Sequence, residues 1–274
     1  MTAPLVLLHG LGMSARVWDG IVPALSRGHT IFAPTMLGHR GGTRATGHPV
    51  DIDALAGDIE RRMDERGWAT AHLAGNSLGG WVAIELARRG RARSVCALSP
   101  AGFWNPQGPS RTTGTSIIRR LEVTVRLTRP VAPIALRSAI IRRIAQREVF
   151  EHGDRLTPRH ALDLCDDLRH CDALHDILNT NEQNGPLDPL PCPITLAWSE
   201  HDHLLPVSIN AAIARERLPQ ARFEILTGTG HVPMYDAPRR VVRAITDTVA
   251  RAELPAQPAP SDGHLGDLRP DQRY

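Results

Sequence analysis

Six short apolar runs recur along the chain: Leu5–Leu8, Thr30–Ala33, His72–Ala74, Ser94–Leu98, Ile194–Trp198 and Phe223–Leu226. Each is too short for a buried helix. Between most of them apolar residues return every three or four positions, as in Val17, Trp18, Ile21, Val22 and Leu25, in Ile52, Leu55, Ile59 and Met63, and in Val241, Val242 and Ile245. A strand apolar on both sides must be covered on both faces, and parallel neighbours are joined by right-handed helical crossovers. The pattern predicts an α/β fold, a mostly parallel sheet flanked by helices.

The alternation stops between Phe103 and Pro191. Apolar residues there keep a helical spacing, in Ile117, Ile118, Leu121 and Val125, then Ile134, Ile140, Ile141 and Ile144, then Leu162, Leu164, Leu168 and Leu174. The expected organisation is a core from 1–102 and 191–252, a helical cap over 103–190, and a disordered tail over 253–274 that holds Pro255, Pro258, Pro260 and Pro270. Charge is divided within the cap: residues 111–147 hold nine Arg and one Glu, residues 148–188 three Arg and ten acids. Two readings follow. The halves attract each other, or the basic half forms a face for an anionic substrate or membrane surface.

Composition removes several chemistries. All 32 basic residues are arginine, which excludes Schiff-base lysines, a pyridoxal-phosphate anchor and a P-loop. Thirty-two bases against 29 acids leave a formal charge of +3, too balanced for a dedicated nucleic-acid binder. Cys96, Cys165, Cys171 and Cys192 form no C-x-x-C. His201 and His203 flank Asp202 without a third clustered ligand, so no metal is expected, and no cofactor. The N-terminus lacks a signal-peptide pattern, and no apolar run approaches the roughly 18 residues of a membrane span. A soluble cytoplasmic protein is expected, without stable membrane insertion.

Gly75-Asn76-Ser77-Leu78-Gly79-Gly80 follows the run His72–Ala74 and leads into the helical Trp81–Leu86. Such a strand–turn–helix lifts a serine hydroxyl above the sheet edge. A serine needs a base, and His231 lies in Gly228-Thr229-Gly230-His231-Val232-Pro233, just after the last predicted strand. His9 is expected to shape its loop and His72 to sit in the core. The base needs a carboxylate. Asp202 follows Ile194–Trp198, and Glu200 competes from two positions earlier. Backbone N–H groups of Leu11, in His9-Gly10-Leu11-Gly12, and of Leu78 are placed to hold an oxyanion. Met13, Met36, Trp81, Trp104, Val232 and Met234 are candidate pocket lining.

These four motifs, in the order Ser77, Asp202, His231 after the glycine loop, resemble the α/β-hydrolase family over residues 5 to 240. The resemblance implies that 103–190 is the lid between the sixth and seventh family strands, and it carries the triad and oxyanion roles onto the residues named. Two departures stand out. The chain begins at what resembles the third family strand, so a six-strand, all-parallel sheet without the first hairpin is expected. Thr35-Met36-Leu37-Gly38-His39 stands where the family commonly has an aspartate before Gly-His-Gly. The expected activity is hydrolysis of a carboxyl ester of a small to medium, largely apolar substrate through an acyl-enzyme. Alternatives are carbon–carbon bond hydrolysis of dienoic ring-fission products, whose enzymes often share Gly-Asn-Ser, cofactor-free perhydrolysis, and a non-enzymatic ligand-binding protein. The serine argues against relatives that open epoxides through an aspartate.

Overall fold

In the computed structural model, which describes residues 3–105 and 109–254, each apolar run becomes a strand. These are β1 (Leu5–Leu8), β2 (Ile31–Phe32), β3 (Ala71–Asn76), β4 (Ala92–Leu98), β5 (Ile194–Ser199) and β6 (Arg222–Leu226). They form one sheet in the order β2-β1-β3-β4-β5-β6, with every pairing parallel. The helices are α1 (Val22–Leu25), α2 (Ile52–Asp64), α3 (Leu78–Arg88), α4 (Pro109–Thr128), α5 (Ala132–Ala135), α6 (Ala139–Gln146), α7 (Pro158–Arg169), α8 (Leu174–Asn179), α9 (Ala212–Arg217), α10 (Pro233–Asp236) and α11 (Pro238–Glu253). Five of them, α4 to α8, lie between β4 and β5.

Alternate side chains of one strand point to opposite faces, and β1 shows the consequence. Val6 and Leu8 join Leu55, Ile59, Leu73, Ile84 and Trp198 in one core, whereas Leu5 and Leu7 join Trp18, Ile21, Leu25, Val241 and Ile245 in the other. Local signals set the helix starts. Asp51 accepts from Ala54 N–H at 2.8 Å to begin α2, and Thr157 accepts from His160 N–H at 3.1 Å to begin α7, with Pro158 in its first turn.

The chain runs from β1 outward to β2 and then back across to β3, so the strand order reverses between β1 and β3. Ligand crevices of open α/β sheets form at such a point, beyond the carboxyl ends of the strands. Glycines bring the backbones together there. A Cβ on Gly79 would lie 2.1 Å from Leu8 O, and one on Gly75 would lie 2.1 Å from Gly79 O. Gly79→Ala is therefore expected to push α3 off β1 and to lower stability by about 3 kcal/mol. Gly57→Ala, in the interior of α2 where a Cβ meets nothing within 4 Å, should instead stabilise by up to about 1 kcal/mol. Urea denaturation of both variants checks the pair.

Two sequence expectations change, and the direction of one helical face is set. The periodic stretch Ser14–Leu25 is not one helix: Ala15–Trp18 forms a 3₁₀ turn and α1 starts only at Val22, because Gly20 and Pro23 interrupt the run, although Val17, Trp18, Ile21 and Leu25 are all buried. Ile134, Ile140, Ile141 and Ile144 keep their helical spacing but face outward, with exposures of 41–74%. Glu253, the first residue of the expected tail, still belongs to α11, and residues 255–274 lie outside the described residues. The divided charge of 103–190 is partly spent within it, since Arg129 holds Asp166 through two bonds of 2.6 and 2.9 Å and Arg120 meets Glu148 at 3.3 Å.

Candidate active site

Ser77 occupies the single residue between β3 and α3 with φ 55° and ψ −115°. A non-glycine residue adopts positive φ only where its surroundings enforce it. Here its N–H donates to Leu98 O at 2.9 Å, while its carbonyl accepts from Trp81 N–H at 3.1 Å and Ala101 N–H at 3.0 Å. The Leu78 N–H opens α3, where first-turn donors have no intrahelical acceptor and the helix dipole favours negative charge. The loop after β1 runs alongside: a Cβ on Gly10 would lie 3.5 Å from Ser77 Cβ, and Leu11 lines the same two cavities as Ser77.

His9 braces that loop. Its Nδ1–H donates to Gly10 O at 2.8 Å and its Nε2 accepts from Met36 N–H at 3.0 Å, with the His39 ring edge-on at 4.8 Å. Burial, then the neighbouring His39, hold the His9 imidazole well below its usual range, and burial pushes His39 down to about 4. Both rings thus stay neutral in the fold while the unfolded chain takes up protons below about pH 6.5. The stability they contribute is complete above that value and is lost as pH falls toward 4, by up to about 1.4 kcal/mol per unit for each ring. Melting temperatures should decline through this window; a flat profile down to about pH 4.5 would contradict the assignment.

His231 and Asp202 are both buried. Asp202 Oδ2 accepts from His231 Nδ1 at 2.7 Å, while Oδ1 accepts from Leu204 N–H at 3.0 Å and Leu205 N–H at 2.7 Å, which fixes the carboxylate plane. Glu200, two residues earlier, turns away: it accepts from Gly228 N–H at 2.8 Å and is 44% exposed. Among the described residues no hydrogen bond joins Ser77 Oγ to His231, but both side chains line the same two cavities. Such contacts are commonly long without substrate and tighten in the reacting complex.

Two supporting residues escaped the sequence reading. Asn76 Nδ2 donates to Leu98 O at 3.1 Å and His231 O at 3.0 Å, tying the histidine backbone to the sheet. Asp236, buried in α10, accepts from Gly230 N–H at 2.9 Å, Glu151 N–H at 3.0 Å and His152 N–H at 2.9 Å, which joins the His231 loop to the inserted segment. In the sequence Asn76 stands out only as part of Gly-Asn-Ser, and Asp236 only by its position five residues after His231. Asp236→Ala would strand three N–H groups and is expected to cost about 3 kcal/mol of stability and to lower turnover by loosening His231. Unchanged melting and unchanged turnover would show that the loop does not need this anchor.

Thr35 stands at the position noted for its missing aspartate and accepts from Ala15 N–H at 3.2 Å. A carboxylate reaches this region from elsewhere: Asp167 of α7, 2% exposed, takes Ser14 at 2.6 Å and Arg40 at 2.9 Å.

The larger cavity is lined by Ser77, His231, Leu11 and Met13 together with Ile118, Leu121, Val125, Val149, Phe150 and Leu164. The second adds Leu78, Trp81, Trp104, Ile177, Leu178 and Leu205. Leu11, Ser77, Ile118, Leu204 and His231 belong to both, so two apolar lobes meet over the serine. Of the candidate lining residues, Met13, Trp81 and Trp104 reach a cavity, whereas Met36, Val232 and Met234 are buried in the core. Among the described residues no group of three or more His, Cys, Asp or Glu could hold a metal, and His201 contacts Glu151 at 3.1 Å.

The model of a family described as alpha/beta hydrolases matches residues 5–244. A protein named Epoxide hydrolase EphH, from Mycobacterium tuberculosis, is 35% identical over 199 residues, covering 71% of this chain and 93% of its own length. A pimeloyl-[acyl-carrier protein] methyl ester esterase from Aromatoleum aromaticum is 28% identical over 266 residues, covering 89% and 97%. Among solved structures, a thermophilic esterase from Thermogutta terrifontis superposes with a TM-score of 0.69 at 20% identity, covering 93% of this chain and 92% of that one, a likeness of fold.

Proposed function

This chain belongs to the alpha/beta hydrolase family, and on that premise we propose that it is a serine hydrolase cleaving carboxyl esters of largely apolar substrates through an acyl-enzyme. The observation that carries this reading is a positive-φ serine lining two apolar lobes that are also lined by the imidazole of a buried His231–Asp202 pair.

In the proposed cycle Ser77 Oγ attacks the ester carbonyl while His231 Nε2 takes its proton, and Asp202 steadies the imidazolium through Nδ1. The carbonyl oxygen, now negative, is met by the Leu11 and Leu78 N–H groups. His231 returns the proton to the departing alkoxide, and water activated by the same base releases the acid. One lobe takes the acyl part and the other the alcohol part, so an ester apolar on both sides fits best. The inserted helices α4, α6, α7 and α8 would serve as the lid that excludes water from this chemistry.

The similarity to a protein named as an epoxide hydrolase does not move the reading. A serine that opened an epoxide would be left as an ether, which water does not cleave, so turnover would stop after one event; a carboxylate would be needed at position 77. Asn76 supports no separate role in carbon–carbon cleavage, since its amide is turned toward Leu98 O and His231 O. A panel of esters, lactones, thioesters, epoxides and a coloured dienoic ring-fission product tests the proposal. Turnover of esters with apolar groups on both sides, lost in Ser77→Ala, is expected. Turnover of the epoxide or the ring-fission product alone would contradict it.

A further inference from the structure

Helix α6 is turned inside out. Its central Arg142 is buried and donates to the carbonyls of Leu136 at 2.8 Å, Arg137 at 2.9 Å and Asp154 at 3.2 Å. Its isoleucines face water instead, Ile140 at 72% exposure and Ile144 at 58%. The same holds upstream. Leu121 and Val125 of α4 line the larger cavity, whereas Val123 and Leu127 point outward, followed by Val131 and Ile134. Of the ten exposed large hydrophobic side chains among the described residues, seven fall between residues 123 and 144. Single exposed aliphatics are ordinary, but a concentration of this kind marks a contact surface.

The charges around it are one-sided. Residues 119–147 contain eight arginines and one acid, Glu122, which is buried and bridged to Arg126. Arg129 is engaged by Asp166, while Arg120 and Arg147 share Glu148. Arg137 and Arg143 are exposed and meet no acid among the described residues. A second copy packed two-fold on this face would set this basic fringe against itself. Protein interfaces are enriched in aromatic residues, and residues 113–147 contain none. Aliphatic side chains that sink among acyl chains, rimmed by guanidiniums at the level of phosphates, are the features of a helix that lies on an anionic bilayer.

We infer that the outer face of α4, α5 and α6 docks peripherally on anionic lipid surfaces. Ala145 and Gln146 of α6 line the larger cavity from within, so a docked protein holds that cavity against the membrane. Docking itself is independent of the proposed ester chemistry and is measured without turnover.

The test is co-sedimentation of the full chain with vesicles of phosphatidylcholine alone and of phosphatidylcholine mixed equally with phosphatidylglycerol. Binding is expected only to the anionic vesicles and should weaken as salt is added. The double variants Arg137→Glu/Arg143→Glu and Ile140→Ser/Ile144→Ser should each bind about tenfold or more weakly. Both should keep the circular dichroism spectrum, melting temperature and activity on a short soluble ester of the unaltered protein. Failure of the unaltered chain to pellet with anionic vesicles would overturn the inference, as would isoleucine variants that bind unchanged. A concentration-dependent dimer lost in those variants would give the face to a second copy. Binding to soluble polyglutamate but to neither vesicle would give it to an acidic protein.

Discussion

Ser77→Ala is expected to reduce ester hydrolysis by about 10⁴-fold or more while leaving the melting temperature within a few degrees of the unaltered protein. The size follows from the division of labour at the site. In the proposed cycle no acyl-enzyme could form without the hydroxyl, and the Leu11 and Leu78 N–H groups and the apolar lobes would be left to assist only direct attack by water. Binding should survive, because those lobes are otherwise intact, so the loss belongs in kcat and a substrate analogue should still bind. The fold should survive because the positive-φ backbone at residue 77 is held by main-chain bonds to Leu98, Trp81 and Ala101, none of which uses the side chain. Activity retained at more than a hundredth of the original, about 10² above the expected residue, would show that another nucleophile does the work.

The second large effect separates two carboxylates two residues apart. Asp202→Asn keeps the shape of the side chain but places an amide against His231 Nδ1, where the present carboxylate accepts at 2.7 Å. The imidazole then turns to the wrong tautomer and the imidazolium loses its counter-charge, for which a loss of about 10⁴ in kcat is expected. Glu200→Gln should cost at most a few fold, since that side chain is 44% exposed and meets Gly228 N–H and the His201 ring rather than His231. The two variants read in opposite directions under the competing assignment: a large loss in Glu200→Gln with little in Asp202→Asn would transfer the role. Stability has to be measured alongside, because Asp202 also accepts from Leu204 and Leu205 N–H groups and an asparagine keeps only one oxygen for these duties.

Much of the fold was readable because buried parallel strands leave an unmistakable trace. Leu5–Leu8 is apolar without interruption because both of its faces are covered, and β1 occupies those four residues. Candidate positions for chemistry could be named for a related reason: loops that leave the carboxyl ends of β1, β3, β5 and β6 converge on one edge, which is where Leu11, Ser77, Asp202 and His231 follow their strands. The support of the site was not readable. The bonds from Asn76 to the His231 carbonyl, and from Gly230, Glu151 and His152 to Asp236, join segments up to 155 residues apart. Orientation of the inserted helices was hidden as well. Spacing identifies an amphipathic face at Ile140, Ile141 and Ile144, but it does not say whether that face meets the core or the solvent. Arg142, spending its guanidinium on three carbonyls, settles the direction only once those carbonyls are in place.

The central claim is that one hydroxyl, raised on a bend of the backbone and served by the His231–Asp202 pair, is the reactive nucleophile of the molecule. Incubation with a fluorophosphonate, followed by peptide mapping in a mass spectrometer, tests it without knowledge of the natural substrate. One phosphonate per chain is expected, on the peptide containing Ser77, with labelling abolished in His231→Ala as well as in Ser77→Ala. A chain that remains unlabelled in its folded state, or that carries the label on any other residue, would contradict it.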